Sequence, residues 1–166
     1  MLINRQNKHF SITCDNGVTI FNEEIQDKKN NVCILLENLS VQLKEAFSIF
    51  NPGEYEIFGV IMKISKYNNI QISNEGIKVT IVNDADKVLK SDNVDNSDDI
   101  LLFDYSDKTK IDLEKIIQLV KTVQPKILII NSEILLPDST TYEKITKLKI
   151  KKSELDSILD TKMYIL

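Results

Sequence analysis

Short apolar segments separated by polar turns fill the first half of the chain. Residues 10–14 (FSITC) and 18–21 (VTIF) flank Asp15-Asn16-Gly17. This pattern predicts a β-hairpin, because Asn-Gly accepts the positive φ angles of tight turns. Residues 32–36 (VCILL) form a continuous apolar run, which is typical of a buried strand. After this strand we expect a short helix that is capped by Ser40 and runs through Phe47.

The next segments also have strand character. Residues 54–64 (EYEIFGVIMKI) form a long β-rich stretch, in which Gly59 indicates a bulge or bend. Residues 70–73 and 77–82 predict a second hairpin, which turns at Asn74-Glu75-Gly76. The polar, acidic stretch 91–99 (SDNVDNSDD) is typical of a loop.

The second half of the chain changes to a helical period. Residues 111–123 carry an apolar stripe, and they lie between the apolar runs 100–103 (ILLF) and 126–130 (KILII). Thr109 is the expected N-cap, and Pro125 ends the helix. Strand, helix and strand in this order predict a βαβ unit with two parallel strands. The stripe consists of Leu113, Ile116, Ile117, Val120 and Val123.

The end of the chain completes the predicted fold. We expect a helix over residues 141–148, a short helical turn from Ser153 and an edge strand over residues 163–166. Antiparallel strands followed by a βαβ unit predict an α+β or mixed α/β class. The whole chain, residues 1–166, is expected to form one domain.

Composition excludes several classes of function. The net charge is −4 and the pI is about 5.1, so neither a basic nucleic-acid surface nor a polybasic membrane patch is expected. The first ten residues lack the apolar core of a signal peptide, and we expect a cytoplasmic protein. The sequence contains one histidine, His9, and two cysteines, Cys14 and Cys33. Mechanisms that need several imidazoles, and cysteine-rich zinc sites, are therefore excluded.

Residues 51–60 (NPGEYEIFGV) resemble a signature of one bacterial branch of the metallo-β-lactamase fold family. That branch is similar to ascorbate-6-phosphate lactonase and to predicted zinc-dependent hydrolases. Three later stretches resemble family segments in the same order: residues 76–84 (GIKVTIVND), 124–132 (QPKILIINS) and 147–153 (KLKIKKS). The resemblance implies a shortened four-layer αββα sandwich, with a metal-centred hydrolytic site at one edge between the sheets.

The resemblance also shows which residues stand where the family has metal ligands and the water-activating aspartate. These positions are Asn7, Glu37, Leu39, Val41, Gln42, Asp84, Lys87 and Ser132. Among them Asp84 retains the family's bridging aspartate, whereas Lys87 replaces a histidine and brings a positive charge. We therefore predict no cofactor and no catalytic residue. An unpaired buried carboxylate costs about 3–5 kcal/mol. We expect Lys87, Ser132 or backbone N–H groups to hold Asp84.

Other chemistry-bearing residues have ordinary interpretations. His9 lies near a ligand position of the family, but a surface or hairpin histidine is the favoured interpretation. Asp92, Asp95, Asp98 and Asp99 lack the glycine and glutamate of an EF-hand, which favours a solvated loop. Glu54 and Glu56 share one strand face, yet the resemblance implies a structural turn with Tyr55 packed inward. Cys14 and Cys33 are expected in the core.

Three functions remain open. The first is a non-catalytic metallo-β-lactamase-fold protein that acts as a binding or structural subunit, with a protein partner or a second copy. The second is a divergent hydrolase with a weak oxygen-rich Mg²⁺ or Mn²⁺ site built from Asp84, Glu37, Asp86 and His9. The third is a small-ligand module in the former cleft, where Lys87 attracts an anion.

Overall fold

The fold contains two β-sheets that face each other across one apolar layer. A computed structural model describes residues 1–6, 9–22, 25–36, 42–67, 69–89, 98–104, 112–130 and 141–166, with the side chains of residues 6 and 9 excepted. The first sheet has the strand order β13-β1-β2-β3-β4-β5. Its strands are β1 (Leu2–Gln6), β2 (His9–Thr13), β3 (Thr19–Asn22), β4 (Asn31–Ile34), β5 (Phe47–Ile49) and β13 (Lys147–Lys149).

The second sheet has the order β12-β14-β11-β10-β9-β8-β7-β6. Strands β9, β10, β11 and β14 are parallel to one another, whereas β6, β7, β8 and β9 form an antiparallel meander. The strands of the second sheet are β6 (Gly53–Ile57), β7 (Val60–Ile64), β8 (Ile70–Asn74), β9 (Ile77–Val82), β10 (Ile100–Phe103), β11 (Ile127–Ile130), β12 (Glu143–Lys144) and β14 (Lys162–Ile165).

The inward faces of both sheets form the main core. Side chains such as Ile12 and Ile20 of the first sheet belong to the same buried cluster as Met62 and Ile81 of the second. Their neighbours along each strand point to the opposite face of the sheet, which follows from the two-residue period of a strand. Burial of this cluster holds the sheets face to face, so the predicted mixed α/β class with two facing sheets is confirmed.

Helices pack on the outer face of the second sheet. Helix α1 (Ala85–Leu89) and helix α2 (Leu113–Val123) form a second apolar cluster with β9, β10 and β11. Helix α3 (Lys152–Asp156) places Leu155 in the core between the sheets. Within the described ranges, three of the four expected layers are therefore present. Every helix in those ranges is also too short or too polar to cross a bilayer.

Both predicted hairpins and the βαβ unit are confirmed. Strands β2 and β3 pair antiparallel, as do β8 and β9, and the second of these turns has positive φ angles at Glu75 and Gly76. Strands β10 and β11 are parallel and are joined through α2. Ser153 lies in α3, as expected for a short helical turn.

The β-rich stretch 54–64 is a hairpin, and the bulge or bend expected at Gly59 is a tight turn. Phe58 and Gly59 have φ angles of 52° and 77°, so they form a tight turn between β6 and β7. Positive φ at both central residues matches the right-handed twist of the flanking strands. The glycine at position 59 therefore marks a chain reversal.

The predicted helix through Phe47 is wrong over its described part. Residues 42–46 are irregular, and Phe47 begins β5. The Asp27 carboxylate accepts hydrogen bonds from the N–H groups of Lys44, Glu45 and Ala46. These donors are thereby occupied by a side chain, which competes with helix formation. Ser40 lies outside the described residues.

The end of the chain also differs from prediction. Residues 141–148 form no helix, because residues 143–144 pair with β14 and residues 147–149 pair with β1. Strand β14 is not at the edge, since β12 lies beyond it. In α2 the N-cap is Asp112 rather than Thr109, and Leu119 is buried while Ile117 is exposed.

Candidate functional site

The parallel strands of the second sheet end together at one edge, here called the carboxyl edge. Asp84 follows β9, Asp104 follows β10 and Leu166 follows β14. In the first sheet, β3 ends there at Asn22. Polar residues directly after parallel strands converge in space, and such an edge is the usual place for ligands in α/β sheets.

Asn22 and Asp104 connect the two sheets at this edge. The Asn22 Nδ2 donates a hydrogen bond to Asp104 Oδ2 at 3.3 Å. Both residues are more than nine-tenths buried, with exposed fractions of 3% and 6%. The Asp104 N–H also donates to the Val82 carbonyl, which fixes the chain as it leaves β10. A buried carboxylate that receives an amide donor stabilises the contact between the sheets.

A second connection lies at the same edge. The Arg5 guanidinium, on β1, donates to the main-chain carbonyl of Leu166 at 2.8 Å. Arg5 therefore joins the first sheet to the residue that follows β14. Together with the pair of Asn22 and Asp104, this contact gives two hydrogen bonds between the sheets at the carboxyl edge among the described residues.

Asp84 is held by Lys87. The Lys87 N–H donates to Asp84 Oδ1 at 3.1 Å, and the Lys87 Nζ lies 3.3 Å from Asp84 Oδ2. Asp84 thus caps α1 and forms an ion pair with the same residue. This contact was expected, but the Asp84 side chain is 37% exposed. The cost of a fully buried carboxylate therefore does not apply to it.

Asp86, a member of the proposed oxygen-rich site, forms a separate ion pair. Its Oδ1 lies 3.5 Å from the Nζ of Lys115, which links α1 to α2. Both acidic groups of this helix are therefore engaged with lysines. A lysine beside each carboxylate disfavours a cation at these positions.

The other predicted positions fall into two groups. Gln42 is exposed and precedes Lys44, whose N–H is held by Asp27. Asn7, Glu37, Leu39, Val41 and Ser132 lie outside the described residues. The same applies to the side chain of His9, whose main chain begins β2. The structure therefore joins Asp84 and Lys87, shows Gln42 as exposed, and leaves the five positions outside the described residues as predictions.

Asn22, Asp104 and Arg5 are not among the site residues that the sequence predicted. Asn22 and Asp104 each follow an apolar run, residues 18–21 and 100–103, and this is the signal that could have found them. Polar residues at the ends of buried strands are candidates for a shared sheet edge.

The described residues of the carboxyl edge do not fit a transition metal. No three His, Cys, Asp or Glu residues within the described ranges gather closely enough to hold an ion. His9 is the one histidine of the sequence, and both cysteines are buried in the fold. Zinc sites need several such ligands around one ion.

At the opposite edge, Asp98 and Asp99 precede β10, and both are buried and hydrogen-bonded. The predicted solvated loop is therefore wrong for these two residues. Asp98 accepts hydrogen bonds from Gln71 Nε2 and Thr80 Oγ1, both at 2.8 Å. Asp99 accepts from Lys152 Nζ at 3.1 Å and is almost fully buried. Burial opposes the charge of Lys152, but the hydrogen bonds and charges of Asp99 and Asp156 together outweigh it and raise the pKa of Lys152. Asp92 and Asp95 lie outside the described residues.

Three hairpin turns also meet at this opposite edge. Asn16 donates to the carbonyl of Phe58 at 2.7 Å, which connects the first sheet to the β6–β7 turn. The amino group of Met1 donates to Asp15, and this hydrogen bond lowers the pKa of the Asp15 carboxyl. The neighbouring Asp15 raises the pKa of Glu75. These contacts fasten the sheets at the end opposite to Asp104.

Residues 53–57 form strand β6 and not the structural turn that the resemblance implied, but Tyr55 packs inward as expected. The Tyr55 hydroxyl donates to the Asn51 carbonyl at 2.7 Å, and its ring packs against the main core. Glu54 pairs with Lys63 on the neighbouring strand at 3.2 Å. Both cysteines are buried, also as expected, and burial raises the pKa of Cys14 to about 11.

A solved structure has the same fold over almost the whole chain. It is a "putative Zn-dependent hydrolase of the metallo-beta-lactamase superfamily" from Thermotoga maritima, with a TM-score of 0.72 and 19% sequence identity. The match covers 99% of this chain and 98% of that one. The two sheets and their helices thus have the metallo-β-lactamase fold that the resemblance implied. No protein-family model matches the sequence, and no curated protein matches it either.

Proposed function

We propose that this protein is a divergent member of the metallo-β-lactamase superfamily that acts by binding and not by catalysis. One observation carries the proposal. Lys87 forms an ion pair and a main-chain hydrogen bond with the carboxylate of Asp84, the residue that stands where the resemblance places the bridging metal ligand. The lysine ammonium supplies at that position the positive charge that a metal ion would supply in an active relative.

The composition of the chain supports this proposal. A hydrolytic metal centre activates water through an ion held by several imidazoles and carboxylates. This sequence has a single histidine, and the described carboxyl edge is crossed by hydrogen bonds from Asn22 and Arg5. The residues that remain at the edge stabilise the contact between the sheets.

The proposed role is that of a binding or structural subunit. The fold matches that of the solved structure over nearly the whole chain, whereas the sequence has no histidine at the positions where the resemblance places metal ligands, and this combination supports a function that depends on surfaces. The partner is proposed to be another protein or a second copy of this chain. A cytoplasmic location is part of the same proposal.

The test combines metal analysis with an activity assay. Protein purified from cells grown with added zinc and manganese is expected to contain far less than one equivalent of either metal. It is also expected to leave a lactone, an ester and a phosphodiester substrate unhydrolysed when each metal is added. A stoichiometric ion together with hydrolysis that is lost in Asp84→Asn would overturn the proposal and favour the oxygen-rich site.

Association is tested separately. Light scattering after gel filtration measures self-association, and affinity purification of the tagged chain from its native cell detects a protein partner. A stable homo-oligomer, or a stoichiometric partner that co-purifies reproducibly, is the expected result. A monomer without either would contradict the proposed subunit role.

A further inference from the structure

The outer face of the first sheet carries an open cavity of about 310 Å³. Strands β1, β2, β3 and β4 form its floor, and residues 26–28 form one wall. Ile3, Ile12 and Ile20 of these strands belong to the core between the sheets. Because side chains alternate along a strand, the neighbouring Asn4, Ser11 and Thr19 face the cavity on the opposite side. We call this cavity on the outer face of β1–β4 the polar cavity.

Hydroxyl and amide groups dominate the lining of the polar cavity. They belong to Asn4, Ser11, Thr13, Thr19, Gln26 and Asn31. Such groups both donate and accept hydrogen bonds, as the hydroxyl groups of a polyol do. Leu2 and Phe21 add a small apolar surface, which suits the C–H face of a sugar ring.

The charge of the lining favours a neutral ligand. Lys28 is the one charged residue among the described residues of the lining, and its side chain is exposed. A site for a phosphate or carboxylate group is ordinarily built from several converging cations or backbone N–H groups. Among the described residues the lining contains no carboxylate, the charged ligand that balances the charge of a hard cation.

Hydrogen bonds hold the wall of the cavity in place. Asn31 Nδ2 donates to the Gln26 carbonyl at 3.0 Å, and the Asn31 N–H donates to the Lys28 carbonyl at 3.1 Å. From the other side, Asp27 accepts the N–H groups of residues 44–46. These backbone donors lower the pKa of the Asp27 carboxyl. A wall that is already ordered loses less conformational entropy when a ligand binds.

The floor contains hydroxyl groups with remaining hydrogen-bonding capacity. Thr13 Oγ1 and Thr19 Oγ1 lie 3.1 Å apart across β2 and β3, and this contact uses one of the two protons. The contact of Ser11 Oγ with the Asn4 carbonyl is long, at 3.4 Å. A ligand hydroxyl near these atoms would form additional or shorter hydrogen bonds.

We propose that the polar cavity binds a small neutral polyhydroxy compound of monosaccharide size. Its volume lies at the lower end of ligand pockets, which span about 300–1,000 Å³. The proposal does not depend on the carboxyl edge, since the polar cavity lies on the outer side of the first sheet. It therefore stands whether or not the protein is an enzyme.

Saturation-transfer NMR on the full chain tests the proposal with D-glucose, D-ribose and myo-inositol as probes. Glucose 6-phosphate is the charged comparison. At least one neutral probe is expected to bind with a Kd on the order of 0.1–5 mM, as suits a small polar ligand. Thr19→Val and Asn4→Leu are expected to weaken that binding at least about tenfold, since each removes a polar group from the floor.

Thr122→Val is the matched control, because the Thr122 hydroxyl lies on α2 and bonds within the helix. It should bind the probe like the unmodified chain, and circular dichroism checks that all variants are folded. The proposal is overturned if no neutral probe binds below about 10 mM. It is also overturned if Thr19→Val and Asn4→Leu both bind normally. Preferential binding of glucose 6-phosphate that is lost in Lys28→Gln would replace the neutral ligand with an anion.

Discussion

Asn22 and Asp104 hydrogen-bond across the gap between the two sheets, from the end of β3 to the end of β10, and both are buried. The contact lies at the edge where the resemblance implies a metal centre. The Asn22 amide donates a hydrogen bond to the buried Asp104 carboxylate without adding a charge, as is usual for buried polar groups. The pair thus stabilises the packing of the sheets at the carboxyl edge.

Asn22→Asp is expected to destabilise the protein in a pH-dependent manner. The substitution places a second carboxylate about 3 Å from that of Asp104, and like charges raise the pKa of such a pair. A raised pKa in the folded state means that stability is lost as the pH rises through that value. Urea unfolding should therefore show a larger deficit at neutral pH than near the ordinary carboxyl pKa of about 4.

Asn22→Ala separates the lost hydrogen bond from the added charge. It should cost about 1–3 kcal/mol, because Asp104 loses a buried donor. That cost should vary less with pH than the cost of Asn22→Asp. Equal unfolding midpoints for the unmodified chain and both variants would show that the contact does not stabilise the protein.

The contacts of Asp84 yield a second prediction. Asp84→Ala removes both the cap of α1 and the ion pair with Lys87, and it should cost about 0.5–2 kcal/mol. Asp84→Asn retains a capping oxygen but no charge, so its cost should be smaller. Thermal unfolding with and without added zinc measures both variants. A zinc-dependent rise in Tm that is confined to the unmodified chain would contradict the structural role.

Sequence patterns predicted the parts of the fold that local contacts determine. The turns at Asn16-Gly17 and Glu75-Gly76 each lie between strands that are neighbours in sequence, and the period of α2 is local as well. Strand β13 was missed because its partner, β1, lies at the other end of the chain. A short polar segment becomes a strand there through tertiary pairing, which outweighs its local propensity.

The same distinction holds for the candidate site. Asp84 and Lys87 are three residues apart, so a single helical turn brings them together and the contact was predictable. Asn22 and Asp104 are 82 residues apart in sequence. Their pairing depends on how one sheet packs over the other, and spacing along the chain carries no information about that packing.

Phe58→Asn is expected to stabilise the protein. Phe58 is an exposed aromatic residue with a φ angle of 52°, a backbone conformation that favours glycine and asparagine. A non-glycine residue in this region costs about 1–2 kcal/mol, and asparagine lowers that cost through local hydrogen bonds. The hydrogen bond from Asn16 goes to the main-chain carbonyl of residue 58, so the substitution leaves it intact.

The companion variant Gly59→Ala should have the opposite effect. Gly59 has a φ angle of 77° with open space around it, so an added Cβ strains the backbone without a steric clash. Thermal unfolding should therefore rank Phe58→Asn above the unmodified chain and Gly59→Ala below it. The reverse order would show that the aromatic ring of Phe58 contributes more to stability than the turn conformation does.

The two cysteines should be chemically inert in the folded protein. Cys14 is buried, and burial raises the pKa of its thiol to about 11, so almost none of it is thiolate at neutral pH. Cys33 is also buried, with its Sγ 3.5 Å from the main-chain nitrogen of Gln26. Ellman's reagent should therefore titrate both thiols in guanidinium chloride and react slowly with the native chain.

Cys33→Ala isolates the Cys14 thiol, whose reaction should accelerate only under conditions that unfold the protein. Rapid labelling of native Cys33→Ala would mean that the β2–β3 end of the core opens far below the global free energy of unfolding.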